Sequence, residues 1–440
     1  MMNCIMNSQY KSSRFTRTIS QWFLRASSKV GLTGLPFQIR VLLGFGFIFS
    51  LGRNIAFPYL AMFLTGSRVN GGLQFDPSLI GFMIMIGSLA NTFALLVSGN
   101  FCDRFGRRKM LVFSTIILAV LTACFAFVTN YVEFLLLYTA TGVIGAFFDP
   151  AQSAMVADLM NPERREEVYG LSYMIGNIGT MVGPPIGGFI ASTNGYPVLF
   201  VYAAVFAAVA AGGLVLSIKE SYTPREARKV SVAQFAGIFR DRVFVFFCLM
   251  GALTNLVYSQ LYGMLSVYTQ YVGFEPYIFG VFFSVNGAMV VALQIPIIKG
   301  AVKIGATRAF VVAQLLYAVG FTYFMFAVSF AQFLIGVIVL TLGEIIFVPA
   351  SSGFVANLAP ADMRGRYMAL LGLFFGIGGA AGSQIAFSLF ASLTDKKFTW
   401  GVLGLIGFTT LIGYMFLAKM SGRHKAPILS IDKQRDPVLN

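Results

Sequence analysis

The sequence predicts an all-α membrane protein, with twelve transmembrane helices in two pseudo-symmetric six-helix bundles. Three observations carry that prediction. Of 440 residues, 57% are hydrophobic and only 11% charged, and the mean hydropathy is +0.77, more apolar surface than a soluble domain can cover. Apolar runs of about 20 residues recur, each long enough to cross ~30 Å of hydrocarbon as a helix rising 1.5 Å per residue. Finally, a constant offset of 199 residues relates motifs in the two halves of the chain.

The apolar runs place spans near 39–64, 78–100, 108–129, 132–158, 168–193, 196–218, 243–272, 277–298, 308–328, 332–357, 367–393 and 398–418. Six fall on each side of a charged stretch. The expected organisation is a basic N-terminal cytoplasmic tail (1–38), a six-helix bundle (39–218), a charged cytoplasmic linker (219–242), a second bundle (243–420) and a cytoplasmic tail (421–440). Lys11, Arg14, Arg17, Arg25 and Lys29, with serines and no acid, would also suit an organellar transit peptide; a basic tail is the favoured expectation.

The duplication rests on three places. Gly106 in RFGRRK matches Gly305 in KIGATR, Pro150 in PAQSAMVADL matches Pro349 in PASSGFVANL, and Gly179 and Gly183 match Gly378 and Gly382, all at offset 199. One such coincidence between apolar helices carries little. A shared shift at three places indicates parallel repeats.

A net charge of +15 in a soluble chain would point to nucleic acid, but here topology accounts for it. With both termini inside, 28 of the 32 Lys and Arg fall on inner segments, Arg68, Lys396 and Lys397 fall outside, and Arg53 lies within a span. That asymmetry is the positive-inside pattern, so the basic residues orient the chain and meet anionic lipid; no nucleic-acid partner is expected. Four cysteines without metal-like spacing imply neither a disulfide framework nor a zinc site. The single histidine, His424, sits in the C-terminal tail, so intramembrane proton chemistry must use carboxylates. A phosphate-binding G-x-x-x-x-G-K loop is missing, so ATP is not the expected energy source. No enzymatic constellation and no cofactor are expected.

Between the second and third spans the chain reads GNFCDRFGRRK, from Gly99 to Lys109. Gly106 can take a positive φ and turn the chain, Asp103 lies within reach of Arg104, Arg107 and Arg108, and Gly99 lets a neighbouring helix approach. In the fifth span, GNIGTMVGPPIGG exposes backbone at Gly179, Gly183, Gly187 and Gly188, while Pro184 and Pro185 remove amide donors, so a kinked, closely packed helix is expected. Deep in other spans lie Asp149 and Glu344, with Arg53 as their opposing charge. A carboxylate in hydrocarbon is costly and faces a cavity or a partner, and desolvation disfavours its charge, which makes reversible protonation its available chemistry. At offset 199 these three residues match Gly145, Val348 and Ala252, so the scaffold is duplicated and the charges are not.

The G-x-x-x-D-R-x-G-R-R loop resembles that between helices two and three of major facilitator superfamily transporters. The G-P-x-x-G-G stretch at Gly183–Gly188 resembles the helix-five signature of the drug/proton antiporter branch, and Glu344 in TLGEIIFVP resembles that branch's helix-ten glutamate. The resemblance covers residues 38 to 420. It implies alternating access coupled to the proton gradient, with helices one, four, seven and ten lining a central cavity. Asn255, Tyr258, Gln260 and Tyr262 on helix seven are then cavity candidates. Tyr138 stands where many members of the branch carry an arginine, so the usual proton relay lacks that residue unless Arg53 replaces it. The expected activity is proton-coupled export of hydrophobic or amphiphilic small molecules, cations included, by a monomer in the cell membrane. Glu344, Asp149 and Arg53 would couple protons. An importer or a lipid flippase would show the same fold and is the alternative; a non-transporting sensor is a remote one.

Overall fold

The computed structural model describes residues 34–221, 237–360 and 363–421. Most of the N-terminal tail, the middle of the linker and the C-terminal tail with His424 lie outside the described residues. The chain forms α1 (Phe37–Thr65), α2 (Pro77–Phe105), α3 (Arg107–Phe125), α4 (Tyr131–Leu159), α5 (Pro162–Asn194) and α6 (Pro197–Ser217). The second half follows with α7 (Arg242–Tyr271), α8 (Pro276–Ile304), α9 (Ala306–Phe324), α10 (Phe330–Leu358), α11 (Arg364–Ser392) and α12 (Phe398–Ser421). Among the described residues, eleven helices are long and apolar enough to cross a membrane. The twelfth, α5, runs for 33 residues, but its charged first turns and its glycines and asparagines lower its hydropathy.

Local chemistry repeats with the helices. Helices α2, α3 and α4 recur as α8, α9 and α10 with both ends displaced by 199 residues. Gly106 (φ +98°) and Gly305 (φ +92°) make the two tight turns in a region of backbone space that side chains disfavour. A capping box of Asn130 with Glu133 starts α4, and Ser329 with Gln332 starts α10, again at that offset. Exposed Phe189, Leu216 and Ile412 face outward, as expected where lipid replaces water.

Within the first half α1 packs on α5 and α6, and α2 on α4; within the second, α9 packs on α10 and α12, and α7 on α11. The halves meet along two seams, α5 with α8 and α2 with α11. Both seams are close at the face opposite the Gly106 and Gly305 turns. A Cβ built on Gly280 of α8 would lie 2.6 Å from the Pro184 carbonyl of α5, and one on Gly81 of α2 would lie 2.8 Å from Phe387 of α11. Hydrogen bonds at this face also join the halves. Thr65 donates to Gln270 (3.0 Å), whose amide donates to Tyr196 (3.0 Å), and Ser284 donates to the Met181 carbonyl (2.9 Å). Toward the basic face, a Cβ on Gly170 or Gly176 of α5, or on Gly300 of α8, meets nothing within 4 Å. The halves are therefore closed at one face and parted at the other.

α5 stays helical through Pro184 and Pro185. Its glycines pack as expected: Gly179 against Ser50, Gly183 against Asn54 and Gly187 against the Ile55 carbonyl, all on α1, while Gly188 lies against Pro276 and Tyr277 of α8. The Tyr59 hydroxyl donates to the Pro184 carbonyl.

Candidate functional site

Three helices that line the centre are interrupted at mid-depth, α7 at Ser259–Leu261 and two others beside a charge. α1 changes to a 3-10 turn at Phe57–Tyr59, which leaves Arg53 in the last turn of its first segment. α4 breaks at Ala146 and Phe147, and its second segment begins at Phe148, with Asp149 in the first turn. The carbonyl end of a helix favours a cation and the amide end an anion, so each charge has the sign that its break favours.

Both residues are exposed, and both line an internal cavity with two compartments. The smaller, about 480 Å³, reaches past Tyr138 and Gly142 to Leu118 of α3 and Ala203 and Ala207 of α6. The larger, about 610 Å³, is lined by Ser50, Asn54, Gln152, Asn177 and Thr180. Phe49, Arg53, Phe57, Phe148 and Asp149 belong to both.

Arg53 was expected to oppose the carboxylates directly. It does not: among the described residues it has no ion pair within 4.0 Å, and neither has Asp149 or Glu344. Arg53 and Asp149 face the cavity instead, and Glu344 is met by neutral groups. Glu344, half-buried in α10, accepts a hydrogen bond from Asn286 of α8 (2.8 Å), whose amide also reaches Thr341 (3.0 Å). The Tyr258 hydroxyl stands beside the same carboxylate and 3.2 Å from that of Tyr262, which lines the larger compartment. Tyr173 of α5, also a lining residue, lies within electrostatic reach of Glu344 from the other half.

The remaining candidates divide. Asn255 lines the smaller compartment and donates to the Phe375 carbonyl (2.6 Å), and Tyr138 lines it as well. Gln260 does not line the cavity; it is fully buried, donating to the Leu256 carbonyl (3.0 Å) and the Ser259 hydroxyl (2.8 Å), because it falls in the 3-10 turn Ser259–Leu261 that rotates it into the core. At the basic face Arg107 bridges Asp103 (2.8 Å) and Asp158 (3.1 Å) and donates to the Cys102 carbonyl (3.0 Å). Glu220 accepts from the Arg107 amide (2.9 Å) and the Arg108 amide (3.2 Å) at the start of α3. Arg104 lies over the Phe105 ring, so it takes no part in that network. Gly99 was expected to admit a neighbouring helix, yet a Cβ there meets nothing within 4 Å, since the halves are parted at this end.

Asn286 and Tyr173 were not anticipated. A lone amide in the apolar run VFFSVNGAMVV is the signal that marks Asn286; Tyr173 lies in a polar stretch of α5 and has none. Among the described residues, no group of three or more His, Cys, Asp or Glu gathers as a metal site would.

Residues 42–383 match the sequence model of the Major Facilitator Superfamily. The chain is 26% identical to the Na(+), Li(+), K(+)/H(+) antiporter of Planococcus maritimus, over 82% of this chain and 91% of that protein. It is 25% identical to the multidrug resistance protein MdtH of Yersinia enterocolitica, over 82% of this chain and 90% of that one. Among solved structures, the peptide transporter POT in complex with sulfate superposes with TM-score 0.76 at 17% identity, covering 89% of this chain and 95% of that one. A bacterial homolog of the human lysosomal transporter Spinster, in an inward-facing and occupied conformation, superposes with TM-score 0.69 at 13% identity, covering 87% and 97%. At such identities the structures establish the fold alone, while the family match spans most of the sequence. A multi-pass membrane transporter rather than an enzyme, the chain belongs to the Major Facilitator Superfamily.

Proposed function

We propose that the protein is a proton-coupled secondary transporter that exports hydrophobic or amphiphilic small molecules, cations included, by alternating access. The observation that carries this reading is the setting of Glu344. It is a carboxylate in the middle of α10, held by Asn286 and separated from the cavity by the hydroxyls of Tyr258 and Tyr262. A carboxyl group in that position can exchange a proton and report its state to the cavity through one hydroxyl pair. Asp149, at the cavity surface, is a second exchangeable carboxylate beside Arg53. The distribution of Lys and Arg supports a basic face and termini in the cytoplasm of a cell-membrane protein, with the parted halves open to that side. A monomer supplies the whole cavity.

The test is transport in proteoliposomes with an imposed pH gradient and a fluorescent lipophilic cation. Glu344→Gln is expected to abolish uphill movement while leaving downhill exchange and folding intact. Undiminished gradient-driven transport by that variant removes Glu344 from the mechanism, and uptake in place of efflux in inverted vesicles selects the importer or flippase reading. A second reading, alkali-cation/proton antiport, is favoured by the hard oxygen donors of Ser50, Asn54, Asp149 and Gln152 in the larger compartment and by the name of the Planococcus relative. Proton release on adding Na⁺, Li⁺ or K⁺ to the same vesicles distinguishes it.

A further inference from the structure

Arg53 and Asp149 face one open space, and neither has a hydrogen-bond or ion-pair partner among the described residues. Each charge sits in a helical turn whose end favours its sign, and the guanidinium and the carboxylate are left to whatever occupies the cavity. Two opposite charges that line one cavity without pairing are complementary to a ligand that carries both signs. A singly charged ligand satisfies one of them and leaves the other to water.

Beside this pair, the smaller compartment reaches a wall formed by Leu118 of α3 and by Ala203 and Ala207 of α6. That wall is apolar, while Ser88, Asn91 and Thr141 of the first half and Asn255, Ser259 and Ser383 of the second line the rest of the compartment. The whole compartment, about 480 Å³, suits one short alkyl chain or a ring system and not two long acyl chains. The larger compartment also contains Arg53 and Asp149, and it carries the hydroxyls and amides of Ser50, Asn54, Gln152, Asn177 and Thr180 among apolar side chains, which can hydrogen-bond a headgroup.

From this arrangement we infer that the cargo is a single-chain zwitterionic amphiphile, whose anionic group meets Arg53, whose cationic group meets Asp149, and whose apolar part lies against the wall of α3 and α6. The inference rests on the proposed role of the central cavity as the cargo site and deepens it. It does not depend on Glu344, which lies on the other half of the molecule.

The test is equilibrium binding by calorimetry to the full chain in phosphatidylglycerol nanodiscs, with no proton gradient and with empty discs as the partition control. Three probes share an eight-carbon chain: octylphosphocholine, octyltrimethylammonium and octyl phosphate. Octylphosphocholine is expected to bind roughly tenfold or more tightly than either of the others, the ratio expected for one added charge-assisted contact. Equal binding of the cation, or no binding of the zwitterion, overturns the proposal on wild-type protein alone, whether or not any variant folds. Arg53→Gln should erase the advantage over the cation and Asp149→Asn the advantage over the anion, while Arg53→Lys and Asp149→Glu retain both. Free phosphocholine binding as tightly as the octyl probe would overturn the role of the apolar wall. Loss of octylphosphocholine binding in phosphatidylcholine discs would show that a two-chain lipid takes the site, overturning the single-chain assignment. Glu344→Gln should keep the zwitterion preference even if its transport is lost, so failure of proton coupling and failure of this inference give different results.

Discussion

Gly280→Ala tests whether the α5–α8 seam is a conformational contact or only packing. A methyl group there would lie 2.6 Å from the Pro184 carbonyl oxygen, 2.7 Å from the Tyr59 hydroxyl and 2.8 Å from the Pro185 Cα. Two of those neighbours are backbone and cannot rotate away, so α5 and α8 must separate. Overpacking of this kind costs ~1–3 kcal/mol. The cost applies only while the halves touch at this face. The helix-propensity gain of alanine over glycine, ~1 kcal/mol, is present whether they touch or not, and it cancels. The equilibrium should therefore move away from the present conformation by about 5- to 150-fold. Gly187→Ala is the control. Its methyl would meet the Ile55 carbonyl and the Tyr59 ring of α1, in the same half, and should lower the unfolding temperature without moving that equilibrium. Spin labels at Val69 and Phe326, exposed residues in the α1–α2 and α9–α10 connections at the closed face, report the separation in a background with the four cysteines replaced. A longer-distance population should grow in Gly280→Ala and not in Gly187→Ala. An unchanged distance distribution in a destabilised Gly280→Ala would refute the reasoning.

Asp158→Asn should cost more than Asp103→Asn in thermal unfolding, about 1 kcal/mol against less than 0.5, because Asp158 is 24% exposed and Asp103 is 60% exposed where each meets Arg107. Asp76 caps α2, and hydrogen bonds from the Ser78 hydroxyl and amide hold its carboxyl below the usual 3.8. A lowered folded-state value means that the cap contributes fully above the unfolded value and is lost as pH falls through the folded one. The unfolding-temperature gap between wild type and Asp76→Ala, reflecting ~0.5–1 kcal/mol near neutral pH, should therefore close as pH drops below 3.8. Tyr258→Phe removes the hydroxyl between Glu344 and Tyr262, and it should reduce gradient-driven transport at least tenfold while cargo affinity stays within about twofold. Equal loss of both would make Tyr258 a packing residue.

Features governed by local chemistry were legible in the sequence. Gly106 and Gly305 are turns because glycine tolerates their φ, and the 199-residue offset extends to whole helices because the same caps and turns bound them. What the sequence hid depends on relations between helices. Gln260 looks like a cavity residue when α7 is drawn as one straight helix, and only the 3-10 turn at Ser259–Leu261 shows that it is rotated inward. Arg53 invites pairing with a carboxylate because the sequence does not reveal that α1 and α4 break beside their charges. Which face is closed cannot be read from composition, since the glycines that permit contact at Gly280 and those left open at Gly99 look alike until the halves are placed.

The placement of unmatched charges constrains how cargo and proton can be coupled. Arg53 on α1 and Asp149 on α4 belong to one half, so a rigid rocking motion preserves their separation and carries any ligand held between them. Glu344, Asn286, Tyr258 and Tyr262 all belong to the other half and likewise move together. The relation that rocking changes is the one across the seam, where Tyr173 of α5 approaches Glu344 and Tyr262 borders the compartment that contains Arg53. Cargo can therefore sense the protonation of Glu344 only through cross-half contacts, which exist in some conformations and not in others. The first half has glycine at Gly145, the position that matches Glu344, and keeps Asp149 as its own cavity carboxylate, so the proton on Glu344 is the one whose link to cargo depends on contacts across the seam. The departure from symmetry at these positions is what allows a duplicated frame to tie a proton to a change of state.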